Sequence, residues 1–296
     1  MKIEKQLSRR GFVAASAALA AGAMVSAEPA HAATKLADVG WVWEGQGLDP
    51  GVYPSIFGVG EGAEFFGLRR AHYLFHPNTD LALQKLSPLE EVRCDISKWK
   101  FRNCGTTGGG SECYNDSTLE EICAEAEKVS RFSLTYKNIS GGFFDDMKGL
   151  MEQRGHTPEE CAAVRDALKR HNPSLQLECV VYAHELEKTK FWKPLAPLMD
   201  VISFWVWGYQ HLETLEDSLH QCIELFPGKP ILMGCYLRDY PTAAPIPLEA
   251  IKRQWNTMAK ALADKRIVGY DILGAVLIDG QLEQATWVRD FIKANS

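Results

Sequence analysis

From about residue 38 to its end the chain alternates short apolar runs with amphipathic stretches, and eight such runs can be counted. They are "DVGWVWEG" (38–45), "RRAHYLFHP" (69–77), "EEVRCDIS" (90–97), "GGFFDD" (141–146), "LQLECVVYAHE" (175–185), "DVISFWVWG" (200–208), "KPILMGCYL" (229–237) and "IVGYDILGAVLI" (267–278). Each is rich in β-branched and aromatic residues. Strands that bury both faces have this near-continuous apolar character, as in parallel sheets covered by helices. Helical stretches lie at 117–132, 157–172, 211–226, 247–265 and 282–294. Ser117 and Glu120 suit a capping box for the first, and Thr157 with Pro158 suits the start of the second. Eight strand–helix units over about 260 residues predict an α/β chain folded as one (β/α)8 TIM barrel. A doubly wound parallel sheet is the competing arrangement. Segments 46–67 and 98–116 are expected as insertions after the first and third strands.

The first residues do not belong to that pattern. Arg9 and Arg10 precede an apolar run, 13–25, and then "AHAA", 30–33. A charged head, a short apolar stretch and small residues at a cleavage site make a secretory signal, here of the twin-arginine type. The run is too short to span a bilayer comfortably. Residues 1–32 are therefore expected to be removed after Ala32, leaving 33–296 as one barrel domain, periplasmic or secreted. The chain carries net charge −6. An acidic chain without basic clusters argues against a nucleic-acid partner, and no second long apolar run argues for membrane attachment after cleavage. Cys104 and Cys113 flank "GTTGGGSE" and could pair in an oxidising compartment. Cys161, Cys179, Cys222 and Cys235 sit in periodic segments and are expected as buried thiols.

In a barrel the chemistry lies where strands end and the following loops begin. Those ends offer Trp43 and Glu44, His76, Asp95, Asp145 and Asp146, then His184, Glu185 and Glu187. Beyond them come Trp205, Trp207 and Tyr209, Tyr236 with Arg238 and Asp239, and Asp271 or Asp279. Aromatic faces stack on the apolar faces of sugar rings, and carboxylates and arginine bind hydroxyls. An oligo- or polysaccharide is thus the expected partner. Glycosidic cleavage needs two carboxyl groups flanking the scissile bond. Asp145 is expected as nucleophile or stabiliser, Glu185 as acid/base and Asp146 as support or substitute. Alternation along a strand predicts that only one of the two aspartates faces the barrel axis. Trp43, Glu44, His76, Asp95, His184, Glu187, Trp205, Trp207, Tyr236, Arg238, Asp239 and Asp271 are the expected substrate-binding set.

"GGFFDDM" (Gly141 to Met147) resembles the "G-x-x-x-D-D-[aromatic]" fourth strand of several glycoside hydrolase-like (β/α)8 barrels, with Met147 in the aromatic place. In alpha-amylase-type and dextranase-type barrels the fourth strand carries an Asp nucleophile and the fifth a Glu acid/base. The resemblance implies those roles for Asp145 or Asp146 and for Glu185. No cofactor and no metal are expected.

Other readings compete at the same residues. Asp145 and Asp146 suit the positive end of a helix dipole, and the tryptophans suit barrel packing. A carbohydrate-binding barrel without catalysis would show the same strand ends. His76, His184 and His211 follow strands two, five and six, as in metal-dependent hydrolase barrels, but strand one lacks their H-x-H. "GVGEGA" (58–63) matches a dinucleotide-binding pattern, yet Pro54 and Gly67 spoil its strand and helix context. Its glycines are expected to shape a long loop.

Overall fold

The computed structural model describes residues 34–44, 55–97 and 117–296, together with the backbone of 100–103 and 111–114. The expected signal at 1–32 and the side chains of Cys104 and Cys113 lie outside the described residues. Eight parallel strands close into a barrel. They are β1 (Gly40–Trp43), β2 (Arg70–Tyr73), β3 (Glu91–Asp95), β4 (Ile139–Phe144), β5 (Gln176–Tyr182), β6 (Val201–Trp205), β7 (Ile231–Tyr236) and β8 (Gly269–Leu273). Each pairs with the next in sequence, and β8 returns to β1 with Gly40 opposite Tyr270 and Trp43 opposite Leu273. This is the expected TIM barrel, and a doubly wound sheet is ruled out by the closure.

The helices are α1 (Val59–Phe66), α2 (Asp80–Lys85), α3 (Leu119–Phe132), α4 (Met147–Arg154), α5 (Pro158–Lys169), α6 (Thr189–Leu195), α7 (Leu215–Leu225), α8 (Leu248–Ala263) and α9 (Leu282–Ala294). A small antiparallel hairpin pairs Lys100–Asn103 with Ser111–Tyr114 inside the insertion after β3. A second joins Arg238–Asp239 to Ala244–Pro245. None of the described helices is long and apolar enough to cross a membrane.

Local chemistry explains where elements start and stop. Thr157 and Glu160 form the capping box of α5, with proline in its first turn. For α3 the box is Thr118 with Glu121, one residue later than expected from Ser117 and Glu120; Ser117 is buried instead. The glycines of 58–63 do not shape a loop, for most of them lie within α1. Gly62 explains this: a Cβ there would sit 2.5 Å from the Cβ of Ala275, so the bare backbone lets α1 approach the turn after β8. Gly67, at φ 70°, ends α1 in the left-handed region that glycine adopts without a steric cost. Strands β5 and β8 end earlier than the apolar runs do, because residues 183–185 and 275–277 coil into 3-10 turns, and β6 ends at Trp205, three residues short of its run.

Inside the barrel, Trp41 with Val201 and Leu232 closes the end where the strands begin. Higher up, the rings of Trp43, Phe143 and Trp205 meet edge to face, at 4.6 and 4.7 Å between centroids. The remaining apolar residues form one continuous core beneath the helices. Cys161, Cys179, Cys222 and Cys235 are buried free thiols, as expected.

Candidate active site

The two glycines in the middle of β4 let it pack closely. A Cβ on Gly141 would lie 2.2 Å from the Gln176 carbonyl oxygen of β5, and one on Gly142 would meet Leu168 of α5 at 2.9 Å. Two residues on, Phe143 turns inward, 4.7 Å from the His72 ring. Strand alternation puts Asp145 on the side of Phe143, and it is 6% exposed. Asp146 departs from the alternation. The strand stops at Phe144, and Asp146 takes φ 46° and ψ 35° just ahead of α4. Aspartate tolerates this left-handed conformation better than most residues. The turn brings its Oδ1 to within 2.9 Å of the Tyr182 hydroxyl, which donates to it. The expectation of a single inward aspartate therefore fails, because the chain leaves the extended conformation one residue too soon. Both carboxyls bear on Tyr182 and Tyr236, whose hydroxyls burial and these neighbouring charges hold well above the ordinary range. Burial likewise raises the Asp146 carboxyl, opposed by the Tyr182 hydrogen bond.

Glu185 lies in the turn Ala183–Glu185 beyond β5. Its Oε2 accepts the Tyr182 backbone N–H at 3.2 Å, and its Oε1 is 3.8 Å from the Lys148 ammonium. Burial raises its pKa, while the Tyr182 N–H and Lys148 oppose the shift. Lys148, on α4, also donates to Glu152 at 2.7 Å. The fourth and fifth strand ends are thus joined twice, through Tyr182 to Asp146 and through Lys148 to Glu185.

Aromatic rings wall this region. Trp207 is 40% exposed. It stands edge-on to Tyr182 and Tyr236, at 6.1 and 6.0 Å, and stacks on Tyr240 at 5.4 Å. Exposed His184 stacks on Tyr182 at 5.4 Å and 20°. Trp205 and Trp43 lie deeper, at 1% and 4% exposure, so they form the floor under the mouth. Gly234 makes room for Trp205, since a Cβ there would fall 2.0 Å from the indole. Arg238 is buried and lines a cleft with Trp207, Tyr236 and Tyr240.

Several expected binding residues are engaged in holding loops. Asp239 accepts the backbone N–H of Tyr209 at 3.0 Å and that of Thr242 at 3.2 Å. Asp95 accepts the Ser97 N–H at 2.8 Å. Glu44 accepts the N–H of Val59, the first residue of α1, at 3.1 Å, and burial pushes its carboxyl up to about 7. His76 lies 3.9 Å from Glu44 and stacks on Tyr73. Asp279 binds Ser55 and the Ile56 N–H, at 2.5 and 3.1 Å. Glu187 is exposed beyond the turn that holds Glu185.

Asp271 is not at the mouth. It is wholly buried in the barrel interior, where its Oδ2 accepts the Ser203 hydroxyl at 2.6 Å and Ser203 accepts the Trp205 indole N–H at 2.8 Å. Its Oδ1 is 3.5 Å from His72 Nδ1, and His72 Nε2 is 3.0 Å from Glu178. Arg93 pairs with Glu178, donates to Gln176 at 2.9 Å, and lies over Trp41 at 4.4 Å. Burial pushes Asp271 up to about 7, against the Ser203 bond and the Arg93 charge. Burial and Arg93 hold His72 well below its ordinary value. A protonated Asp271 facing a neutral His72 leaves only the Arg93–Glu178 pair charged, which the low dielectric favours.

His72, Glu178 and Asp271 are also close enough to suggest a metal site. The imidazole turns opposite nitrogens to the two carboxyls, 3.0 Å from Glu178 and 3.5 Å from Asp271, and Arg93 already pairs with Glu178, so a metal would have to displace that pair. Of the histidines expected in a metal site, His184 and His211 line one groove, while His76 stands beside Glu44. His72, Arg93, Glu178, Ser203, Tyr182 and Lys148 were absent from the expected set. Period-two counting back from Trp205 along β6 reaches Ser203 as an inward polar position, and Glu178 and Tyr182 share one face of β5.

No protein-family model matches the chain, and the comparison with curated proteins finds no match. Solved structures do match. A Bacteroides uniformis beta-glucuronidase aligns at TM-score 0.52 and 11% identity, over 83% of this chain and 31% of that one. Alpha-L-arabinofuranosidase from Thermotoga maritima, as its arabinose complex, aligns at TM-score 0.52 and 12% identity, over 81% and 65%. Bacteroides uniformis beta-glucuronidase 2, covalently bound to cyclophellitol-6-carboxylate aziridine, aligns at TM-score 0.51 and 12% identity, over 83% and 31%. The chain spans about a third of the glucuronidases and about two thirds of the arabinofuranosidase. At such identity the likeness is one of fold, and the fold is the closed parallel barrel on which these glycoside hydrolases are built.

Proposed function

We propose that this chain is an exported glycoside hydrolase that cleaves glycosidic bonds with two carboxyl groups. The observation that carries the reading is the pair Asp145 and Asp146 beneath an aromatic wall of Trp207, Tyr182 and Tyr236. Asp146, raised by burial, is the proton donor to the leaving oxygen, and Tyr182 orients it. Asp145 is the nucleophile or the stabiliser of the developing positive charge. Glu185 is the second candidate for the acid, since burial raises it too, but Lys148 and its own backbone hold it back. Trp207, Tyr236, His184 and Arg238 hold the sugar.

The test is sugar release from a broad panel of glycans and aryl glycosides by the processed protein, beside Asp145→Asn, Asp146→Asn and Glu185→Gln, with one arm in EDTA. We expect release that EDTA leaves untouched and that falls at least 100-fold in Asp145→Asn and Asp146→Asn, in keeping with general acid–base contributions of about 10²–10⁴. Full activity in both aspartate variants overturns the assignment. Lys148 beside Glu185 favours one second reading, a carbohydrate-binding barrel without catalysis. Binding of sugars without any release by the wild-type protein establishes it. Export through the twin-arginine route belongs to the proposal, and N-terminal sequencing of the exported protein checks it by finding Ala33 first.

A further inference from the structure

Beside the acid pair lies a groove of about 400 Å³, of whose lining the reading above uses only His184 and Trp207. It runs between the loops after β5 and β6, and its lining includes His184, Trp207, His211, Thr214 and Ser218. The volume falls in the range of small-molecule sites, about 300–1,000 Å³. We propose that this groove is a second sugar subsite, which takes a neutral pyranose ring of a glycan chain whose neighbouring ring lies over Asp145 and Asp146. The inference rests on the carbohydrate reading of the acid pair and adds where the chain runs and what kind of sugar it carries.

Three observations support it. The groove offers both surfaces that a pyranose needs. Trp207 presents an exposed indole for the apolar ring face, and two imidazoles and two hydroxyls serve the ring's own hydroxyls. Its lining contains no carboxylate, lysine or arginine, so nothing there pairs with a charged sugar. It also adjoins the acids through shared walls. His184 stacks on Tyr182, whose hydroxyl binds Asp146, and Trp207 stands edge-on to the same tyrosine. A ring leaving the acids in this direction enters the groove directly. Burial and the nearby Lys148 lower the pKa of His184, so its imidazole is available at neutral pH both to donate and to accept.

Calorimetric titration of the Asp145→Asn protein with cello-, xylo-, malto- and chito-tetraoses, their monosaccharides and a tetragalacturonate tests this without turnover. One neutral tetrasaccharide should bind at least about tenfold tighter than its monosaccharide, the step that about 1.4 kcal/mol of added contact produces. Ser218→Trp, which fills the groove, and His211→Ala should each weaken that tetrasaccharide several-fold and its monosaccharide by less than twofold. Circular dichroism of both variants confirms that they fold. Equal binding of monosaccharide and tetrasaccharide, preference for the tetragalacturonate, equal losses for both lengths, or no binding by any saccharide overturns the subsite. Hydrolysis by the wild type without dependence on chain length overturns the subsite and leaves the hydrolase reading standing. Chain-length-dependent binding without hydrolysis does the reverse.

Discussion

Tyr182 joins more of the candidate site than any single aspartate does. Its backbone N–H holds Glu185, its hydroxyl holds Asp146, and its ring carries His184. The hydroxyl bond stabilises the ionised form of Asp146, so its removal must raise that carboxyl further. If Asp146 is the acid, Tyr182→Phe should move the alkaline limb of the pH–rate profile up by about one unit, since a hydrogen bond to a charged group contributes about 1.5–3 kcal/mol. An unmoved limb would take Asp146 out of the acid role. The adjacent aspartates were legible in the sequence as an apolar run ending in paired acid. Tyr182 was not, because it sits at the last strand position, ahead of the more conspicuous "HELE". The left-handed turn at Asp146 was equally hidden, since strand alternation says nothing about where a strand stops.

Among the elements, β7 and α5 show how little sequence separates a fit from a clash. Trp205 lies against the bare backbone of Gly234, and Gln254 on α8 donates to the Gly234 carbonyl at 3.1 Å. Gly234→Ala should displace the indole and destabilise the barrel by about 1–3 kcal/mol, the ordinary cost of overpacking, read as a lower urea midpoint with an unchanged slope. Thr157→Ala removes a capping bond from α5 and should cost about 1 kcal/mol by the same measurement. An unchanged midpoint in either variant would refute the packing or the cap. The longer helices were legible in their amphipathic pattern, two of them also by caps, whereas the short ones at 80–85, 147–154 and 189–195 offered too few residues to show a period. Two strand ends were read long because "AHE" and "AVL" are apolar or neutral enough to extend a run, yet coil into 3-10 turns. The helix of 59–66 was missed because its glycines, which make tight packing possible, also lower helix propensity.

For the whole molecule, eight apolar runs sufficed to predict the closed barrel, whereas its polar interior was not foreseen. That interior carries a signature in pH. Asp271 and Glu44 are both pushed up to about 7 by burial. The folded chain therefore keeps protons that the unfolded chain has released above about pH 4. Their contribution to stability is complete below that pH and is lost as pH rises towards 7, at about 1.4 kcal/mol per unit for each group. His72, lowered by burial and Arg93, works in the opposite sense, so the informative quantity is a difference. The stability of Asp271→Asn relative to wild type should climb between pH 4.5 and about 7 and level off above. A flat difference would mean that Asp271 is not protonated in the fold. The closure of the barrel has one further consequence. The Leu36 N–H bonds the Asn295 carbonyl at 3.1 Å, the Tyr270 hydroxyl bonds the Leu36 carbonyl, and β1 lies against β8. During synthesis β1 leaves the ribosome early and waits with one edge unpaired until almost the whole chain has followed. The last strand to be made is the one that completes the first, so a stalled or truncated translation product exposes an open sheet edge to every other such product nearby.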